Sequence, residues 1–561
     1  MTDAVIHPGL VLIAGAMLLP LLGGLVRSIA VVGLPLLALA FVWQVPDGPA
    51  WQLQFLEYTI SPLQGDKLSR LFGTIFALMA AGGGLFAIGQ KNRLEVPAAF
   101  LYAGAAIGVV FAGDLVTVFV FWEVMAVGST LVLWSNGRSD SYRAAQRYLM
   151  VHLLGGVVLF AGVTGHIVQT GDVAFAPMAL DSPAHWLVLI GFLVNAGAPP
   201  MSAWLPDAYP EASWSGTVFL SAFTTKTAVY ALIRGFPGTE LLIWVGLFMV
   251  FYGIVYALLE NDMRRILAYS IVNQVGFMIA GIGIGTEMAL NGAAAHAFAH
   301  IIYKALLLMS AGSVLMMTQR RKCSELGGLF HTMPLTMVCG TIGALAISAF
   351  PLTSGFVSKS MVSQAAADSH LMVVWLLLAA ASAGVFLHAG IKFPWFVFFQ
   401  KDSGLRPPEP PASMQWAMVF FAILCIALGV WPEPLYAMLP YAVNYQPYTG
   451  SHVVAQLQLL LFSGLAFFIM LPFLKRTLTI TLDSDWLWRV ALPKVADALG
   501  QKAEKTGGAF SRSAQRWSAA ALDSVVVHLG KNARIAGTWS TRSMALWVLV
   551  LLIGYLILYY L

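Results

Sequence analysis

Hydrophobic residues in this chain neither alternate nor recur once per helical turn; they run in blocks. Crossing a bilayer takes about 17–25 apolar residues. Sixteen blocks are long enough, near 9–26, 28–44, 69–89, 97–113, 115–134, 146–169, 185–204, 217–234, 240–259, 266–285, 289–317, 334–362, 371–399, 414–431, 454–473 and 544–561. The pattern predicts an all-α integral membrane fold, with a helix in each block and polar connections between them.

Two blocks are interrupted midway by residues hostile to helix. One reads Asn195-Ala-Gly-Ala-Pro-Pro-Met-Ser202 and leads into Trp204-Leu-Pro-Asp. The other reads Phe350-Pro-Leu-Thr-Ser-Gly355 and leads into Phe356-Val-Ser-Lys359. They fall in the seventh and twelfth helices, five apart. A tandem unit of five helices returns upside down because five is odd. Helices four to eight and nine to thirteen therefore read as two inverted five-helix repeats, each with one broken helix. This divides the chain into N-terminal helices over 1–95, a first repeat over 96–236, an inverted second repeat over 237–402, helices fourteen and fifteen over 403–474, and a final part over 475–561.

The loops carry the orientation. Basic residues follow the odd-numbered helices: Arg27; Lys91 and Arg93; Arg138, Arg143 and Arg147; Arg264 and Arg265; Arg320, Arg321 and Lys322; Lys401 and Arg406; Lys475 and Arg476. The other loops hold few, the exceptions being Lys67, Arg70 and Arg234. Retention of basic loops on the cytoplasmic side puts the N-terminus outside, in the periplasm if the membrane is a bacterial inner membrane. From Leu474 to Ser543 the composition shifts to 11 Lys and Arg against 5 Asp and Glu. That stretch reads either as a basic amphipathic segment on the cytoplasmic interface or as a disordered linker, ahead of a terminal anchor helix.

Composition agrees with the blocks. The 561 residues are 59% hydrophobic and 10% charged, with a mean hydropathy of +0.79, where a soluble globular chain is about 25% charged. The net charge of +5 sits in loops, a topological pattern that does not point to nucleic acid. Cys323, Cys339 and Cys425 are scattered without paired or metal-like spacing, and no Gly-rich dinucleotide motif accompanies them, so neither a metal nor a redox cofactor is expected. The first apolar run lacks a basic lead and a small-residue cleavage site, and reads as a retained helix.

The candidate chemistry is the charge left inside the spans, where a charged side chain costs about 2.5–3.5 kcal/mol on insertion scales. Glu123 and Lys226 sit mid-span, and Lys359 follows the second break. His296, His300 and Lys304 recur every four residues and share a helix face, as do His388 and Lys392; His152 lies in helix six. Desolvation disfavours the charged form of amine and carboxyl alike, so both can exchange protons, and histidine does so near neutral pH unaided. Static ion pairs between helices would use the same residue types, and His152 and His388 also fit satisfied core histidines.

The segments Trp204-Leu-Pro-Asp-Ala-Tyr-Pro-Glu-Ala and Ser221-Ala-Phe-Thr-Thr-Lys-Thr-Ala-Val-Tyr closely resemble the D-type subunit of Mrp sodium/proton antiporters and the antiporter-like subunits of respiratory complex I. So do Phe121-Trp-Glu, Asp262-Met-Arg-Arg-Ile-Leu-Ala-Tyr-Ser, the His296, His300 and Lys304 spacing, and Gly355-Phe-Val-Ser-Lys359, in family order over roughly residues 95–400. The resemblance implies about fourteen core helices, with two half-channels joined by a polar axis at mid-membrane. It implies that Glu123 is the helix-five acid, that Lys226, His300 and Lys304 form the central relay, and that Lys359 passes protons onward. One position departs: where the family usually carries a lysine paired with the helix-five glutamate, this chain has Asn195. Lys226 or His152 would then have to stand in, or the first half works differently.

The expectation is a subunit of a multi-subunit membrane complex that moves protons and a monovalent cation, with Na+/H+ antiport of Mrp type leading. Its partners are other subunits and the lipid bilayer, and it is no enzyme by itself. The alternatives are a proton-channel subunit of a redox- or solute-coupled assembly, and a docking subunit with impaired transport.

Overall fold

The computed structural model describes residues 5–472 and, beyond them, 483, 486–491, 494, 495, 497 and 498. The expected basic segment and anchor helix over 475–561 lie almost wholly outside the described residues. The described residues up to 483 belong to one compact unit, and the few described from Trp486 onward to a second.

The chain opens with α1 (Pro8–Leu18) and α2 (Gly24–Val42), then a hairpin of β1 (Gly48–Phe55) and β2 (Tyr58–Gly65), then α3 (Lys67–Phe86). Over the stretch expected to form the first repeat lie α4 (Glu95–Phe111), α5 (Leu115–Trp134), α6 (Ser139–Thr170), α7 (Pro183–Ala196), α8 (Trp204–Ala208), α9 (Gly216–Leu220) and α10 (Thr224–Gly235). Over that expected to form the second lie α11 (Leu241–Leu259), α12 (Met263–Ile284), α13 (Glu287–Thr318), α14 (Pro334–Ile347), α15 (Ser354–Asp368) and α16 (Met372–Val385), which runs on in wider π turns over Phe386–Lys392 and Trp395–Phe399. α17 (Ala412–Val430), the short α18 (Glu433–Ala437) and α19 (Gly450–Met470) follow. Among the described residues eleven helices are long and apolar enough to span, and four shorter apolar ones complete the set. Each of the fifteen blocks before residue 475 thus has its helix.

Both expected breaks are present. α7 stops at Ala196 because Gly197 turns left-handed (φ 78°) and donates its N–H back to Val194 and Leu193, while Pro199 and Pro200 have no N–H with which to resume. α14 stops at Ile347, and Ala349 and Leu352 at φ 56° and 69° turn the chain before α15 begins.

Three features were not anticipated. The antiparallel hairpin pairs Gly48 with Gly65 and Phe55 with Tyr58, in a stretch where no element was expected. It is pinned by Ser61 N–H to Asp114 Oδ2 at 2.8 Å. The π turns near the end of the thirteenth span are the second. The third is that the eighth span, read as one helix, is split into α9 and α10. No proline or glycine causes that split. The hydroxyl of Tyr102, from α4, accepts the Thr224 N–H at 2.8 Å and lies 3.5 Å from the Leu220 carbonyl. Those are the two groups a continuous helix would bond to each other.

The core fixes where polar residues can sit. The apolar windows of α12 and of the α9–α10 span are wholly enclosed by other helices, whereas α2 and α19 are mostly exposed, as helices facing lipid would be.

Candidate functional site

Buried titratable side chains recur on α10, α13 and α15. Lys226, His296, His300 and Lys304 are fully buried and Lys359 is 2% exposed. Lys226 owes its place to the α9–α10 split: its ammonium donates to the Ser221 carbonyl at 2.6 Å and to Thr225 Oγ1 at 3.1 Å. Lys304 donates to the Leu267 carbonyl of α12 at 3.3 Å. Neither is in an ion pair among the described residues. Ionisable groups this deep in a membrane protein pair with one another or with backbone carbonyls, or mark an ion or proton path.

Between these lysines and the second break stand the two histidines. Their rings lie 6.4 Å apart on α13, and Tyr303 packs edge-on to His300 at 5.2 Å. His296 Nε2 is 3.0 Å from Gln274 Oε1 and its Nδ1 is 3.2 Å from Ser358 Oγ of α15. Both nitrogens of His300 lack a hydrogen-bond partner among the described residues. Lys359 Nζ likewise has no hydrogen-bonding partner among them and sits over the Phe277 ring at 4.7 Å, while that ring packs on His296 at 6.0 Å. These groups form one cluster: Lys226 is within electrostatic reach of Lys304, His300 and His296, Lys304 of His300, and Lys359 of His296.

At Lys359 the line meets a cavity of 1180 Å³, lined also by Ser360, Ser363, Gln364, Asp368 and His452. Ser360, Gln364 and Asp368 are one helical turn apart along α15, and Gln364 donates to Asp368 at 2.7 Å. With about 30 Å³ per liquid water, the space holds dozens of them.

The remaining candidates stand apart from this line. Glu123 has no cation within ion-pair distance among the described residues, and its Oε1, which packs against Gly156 of α6, has no hydrogen-bond partner there. The expectation that Lys226 supplies a counter-charge is therefore corrected: that ammonium is spent on the backbone of its own split. His152 Nδ1 instead bonds Asn195 Oδ1 at 2.8 Å, joining α6 to α7. His388 Nδ1 donates to the Gly384 carbonyl at 2.8 Å. Lys392 donates to the carbonyls of Ala257, Leu258 and Glu260 at 2.5–3.0 Å, capping the C-terminal end of α11.

Gln274, Tyr303 and Ser358 belong to the site but were not singled out from sequence. Tyr303 falls three residues after His300 and seven after His296, so the same spacing rule reaches it. Gln274 is an uncharged amide in the middle of an apolar block, a quieter form of the signal that found the lysines.

Residues 112–386 match the protein family described as "NADH:quinone oxidoreductase/Mrp antiporter, TM". The chain is 30% identical over 358 residues to the A/B component of a probable K(+)/H(+) antiporter of Rhizobium meliloti, covering 59% of this chain and 36% of that longer protein. It is 29% identical over 437 residues to the N component of the NADH-quinone oxidoreductase of Desulforudis audaxviator, covering 71% and 86%. Among solved structures, a chain of the Mrp complex from a Dietzia species shares the fold with a TM-score of 0.70 at 23% identity, covering 82% of this chain and 100% of that one. With fifteen apolar spans among its described residues, two of them broken, and a buried cluster of lysines and histidines, the chain belongs to the NADH:quinone oxidoreductase/Mrp antiporter transmembrane family.

Proposed function

We propose that this chain is the subunit of a multi-subunit membrane complex that moves protons, and a monovalent cation exchanged for them, across a bacterial inner membrane. The observation that carries this reading is the line from Lys226 to Lys359, buried without counter-ions among the described residues and opening at one end into a large polar cavity. Protons pass among Lys226, Lys304, His300 and His296 and on to Lys359, with water completing contacts too long for direct transfer. Lys359 exchanges with the cavity. The loop charges place the N-terminus outside, and the α15 end lined by Asp368 then faces outside as well.

The experiment is proton and sodium flux in membrane vesicles containing the assembled complex. Lys226→Ala and Lys359→Ala are each expected to abolish flux while the complex still assembles. Variants that fall apart, with normal transport in whatever remains, would make the lysines structural. The Glu123 carboxyl without a cation favours a second reading of the first repeat alone, in which it carries protons without the charged pair usual in relatives.

A further inference from the structure

The first repeat carries a buried polar line that the relay above does not use. Tyr148, His152 and Gly156 succeed one another at four-residue intervals on one face of α6. The Glu123 carboxylate rests against Gly156. His152 bonds Asn195 through Nδ1, leaves Nε2 without a partner among the described residues, and packs its ring 4.0 Å from that of Tyr148. The Tyr148 hydroxyl is 3.0 Å from Ser129 Oγ and 3.3 Å from Thr224 Oγ1. Thr224 Oγ1 in turn meets the Tyr102 hydroxyl at 2.5 Å. Two residues further along the same helix stands Lys226, already bonded to Thr225 Oγ1. Tyr102, Ser129, Tyr148, His152, Thr224 and Lys226 are each no more than 1% exposed.

We propose that Tyr148 and Thr224 are relay residues, a hydroxyl bridge that carries protons between His152 and Lys226 and so joins the face of α6 that carries His152 to the central line. The inference rests on the proposed function. Each hydroxyl can accept a proton on oxygen while passing its own hydrogen to the next oxygen. A proton leaving the Lys226 ammonium thus arrives at His152 Nε2, leaving Lys226 as the amine, His152 as imidazolium and every hydroxyl as it began. Water or a side-chain rotation crosses the two gaps, from Lys226 to Thr224 and from the Tyr148 hydroxyl to His152. The bridge needs no cation at position 195. The Asn195 amide oxygen takes the Nδ1 hydrogen and so keeps the lone pair on Nε2. Oxygens in direct hydrogen-bonding contact leave no room for a hydrated metal cation, so this branch is selective for protons.

The test is proton flux against pH, in water and in heavy water, for the intact complex in vesicles. Tyr148→Phe and Thr224→Val each delete one hydroxyl at nearly constant shape. Each is expected to lower flux by roughly 10²-fold, the usual scale for a lost proton-transfer group. Each should also abolish the solvent isotope effect of this branch, and Thr224→Ser should restore both. Parent-like flux, pH profile and isotope effect in Tyr148→Phe and Thr224→Val, in a complex that Lys226→Ala still silences, would overturn the bridge and leave the relay standing. Full flux in Lys226→Ala would overturn the relay itself. If Thr224→Val assembles poorly, Tyr148→Phe decides, since it removes a single atom from a ring whose packing is unchanged.

Discussion

Lys226 and Lys392 are both buried lysines whose ammonium groups donate to backbone carbonyls, yet they do different work. The three carbonyls around Lys392 end α11 and would otherwise be unpaired. Losing such partners costs about 1–3 kcal/mol per buried group. Lys392→Ala is therefore expected to lower the melting temperature of the purified complex more than it lowers flux per assembled complex. Lys226 has one carbonyl, one hydroxyl and a second lysine within electrostatic reach, and it closes no helix end. Glu123 is the converse case, a carboxyl with no cation. At an effective dielectric near 20, a lysine about 4 Å away would contribute roughly 4 kcal/mol of attraction before desolvation. Asn195→Lys adds such a charge beside His152 and is expected to shift the pH dependence of flux. Glu123→Gln should lower flux less than the same change does in relatives that keep the lysine. An unchanged profile in the first together with complete loss in the second would show that Glu123 acts without any charged neighbour.

At the scale of elements, the breaks matter more than the helices. Each expected break frees backbone groups inside the membrane, where water cannot reach unless a cavity supplies it. Gly355 opens α15 so close to α14 that a Cβ there would overlap the Ala346 carbonyl oxygen. Gly355→Ala must push the two helices apart and is expected to displace Lys359 from Phe277, with loss of flux. The α9–α10 split depends on one hydroxyl from another helix. Tyr102→Phe removes the acceptor for Thr224 N–H, at an expected cost of about 1–3 kcal/mol. It lets the helix close over the Ser221 carbonyl that holds Lys226. Thermal melting and flux measured on the same preparation would show both losses; a variant that melts and transports like the parent would show that the split stands without Tyr102.

Over the whole molecule, the two repeats are tied by arginine. Arg264, at the start of α12, donates to the carbonyls of Pro210, Ala212 and Ser213 at 2.7–2.9 Å, and also reaches Thr217. Arg321, after α13, pairs with Glu211 at 3.0 Å and with Asp262 at 2.8 Å. Thus the link between the first broken helix and the helix of Lys226 is held by side chains of the second repeat. Arg264→Ala removes a donor from all three carbonyls, of which those of Pro210 and Ser213 keep Arg321 and Thr217, and is expected to reduce recovery of intact complex. Arg264→Lys should restore little, because an ammonium cannot present the planar fork that spans three acceptors. Recovery of assembled complex after solubilisation measures both.

The blocks of apolar residues alone set the number and order of helices, because a bilayer demands roughly twenty apolar residues wherever the chain crosses it. The two Pro- and Gly-marked breaks, and the lysines and histidines of the line, were legible for the same reason: each violates a rule the membrane enforces locally. Folding in three dimensions decided what no local rule contains. The split at Ser221–Phe223 has no breaker residue and exists because Tyr102, 122 residues before Thr224, inserts a hydroxyl between two backbone groups. Lys392 donates to the carbonyls of Ala257, Leu258 and Glu260 because packing brings it to the end of α11, which its spacing from His388 does not reveal. Glu123 stands without Lys226 because that ammonium finds its partners nearer home. Apolar spacing is written along one dimension, whereas the partner of a buried polar group is whichever helix packing brings within about 3 Å.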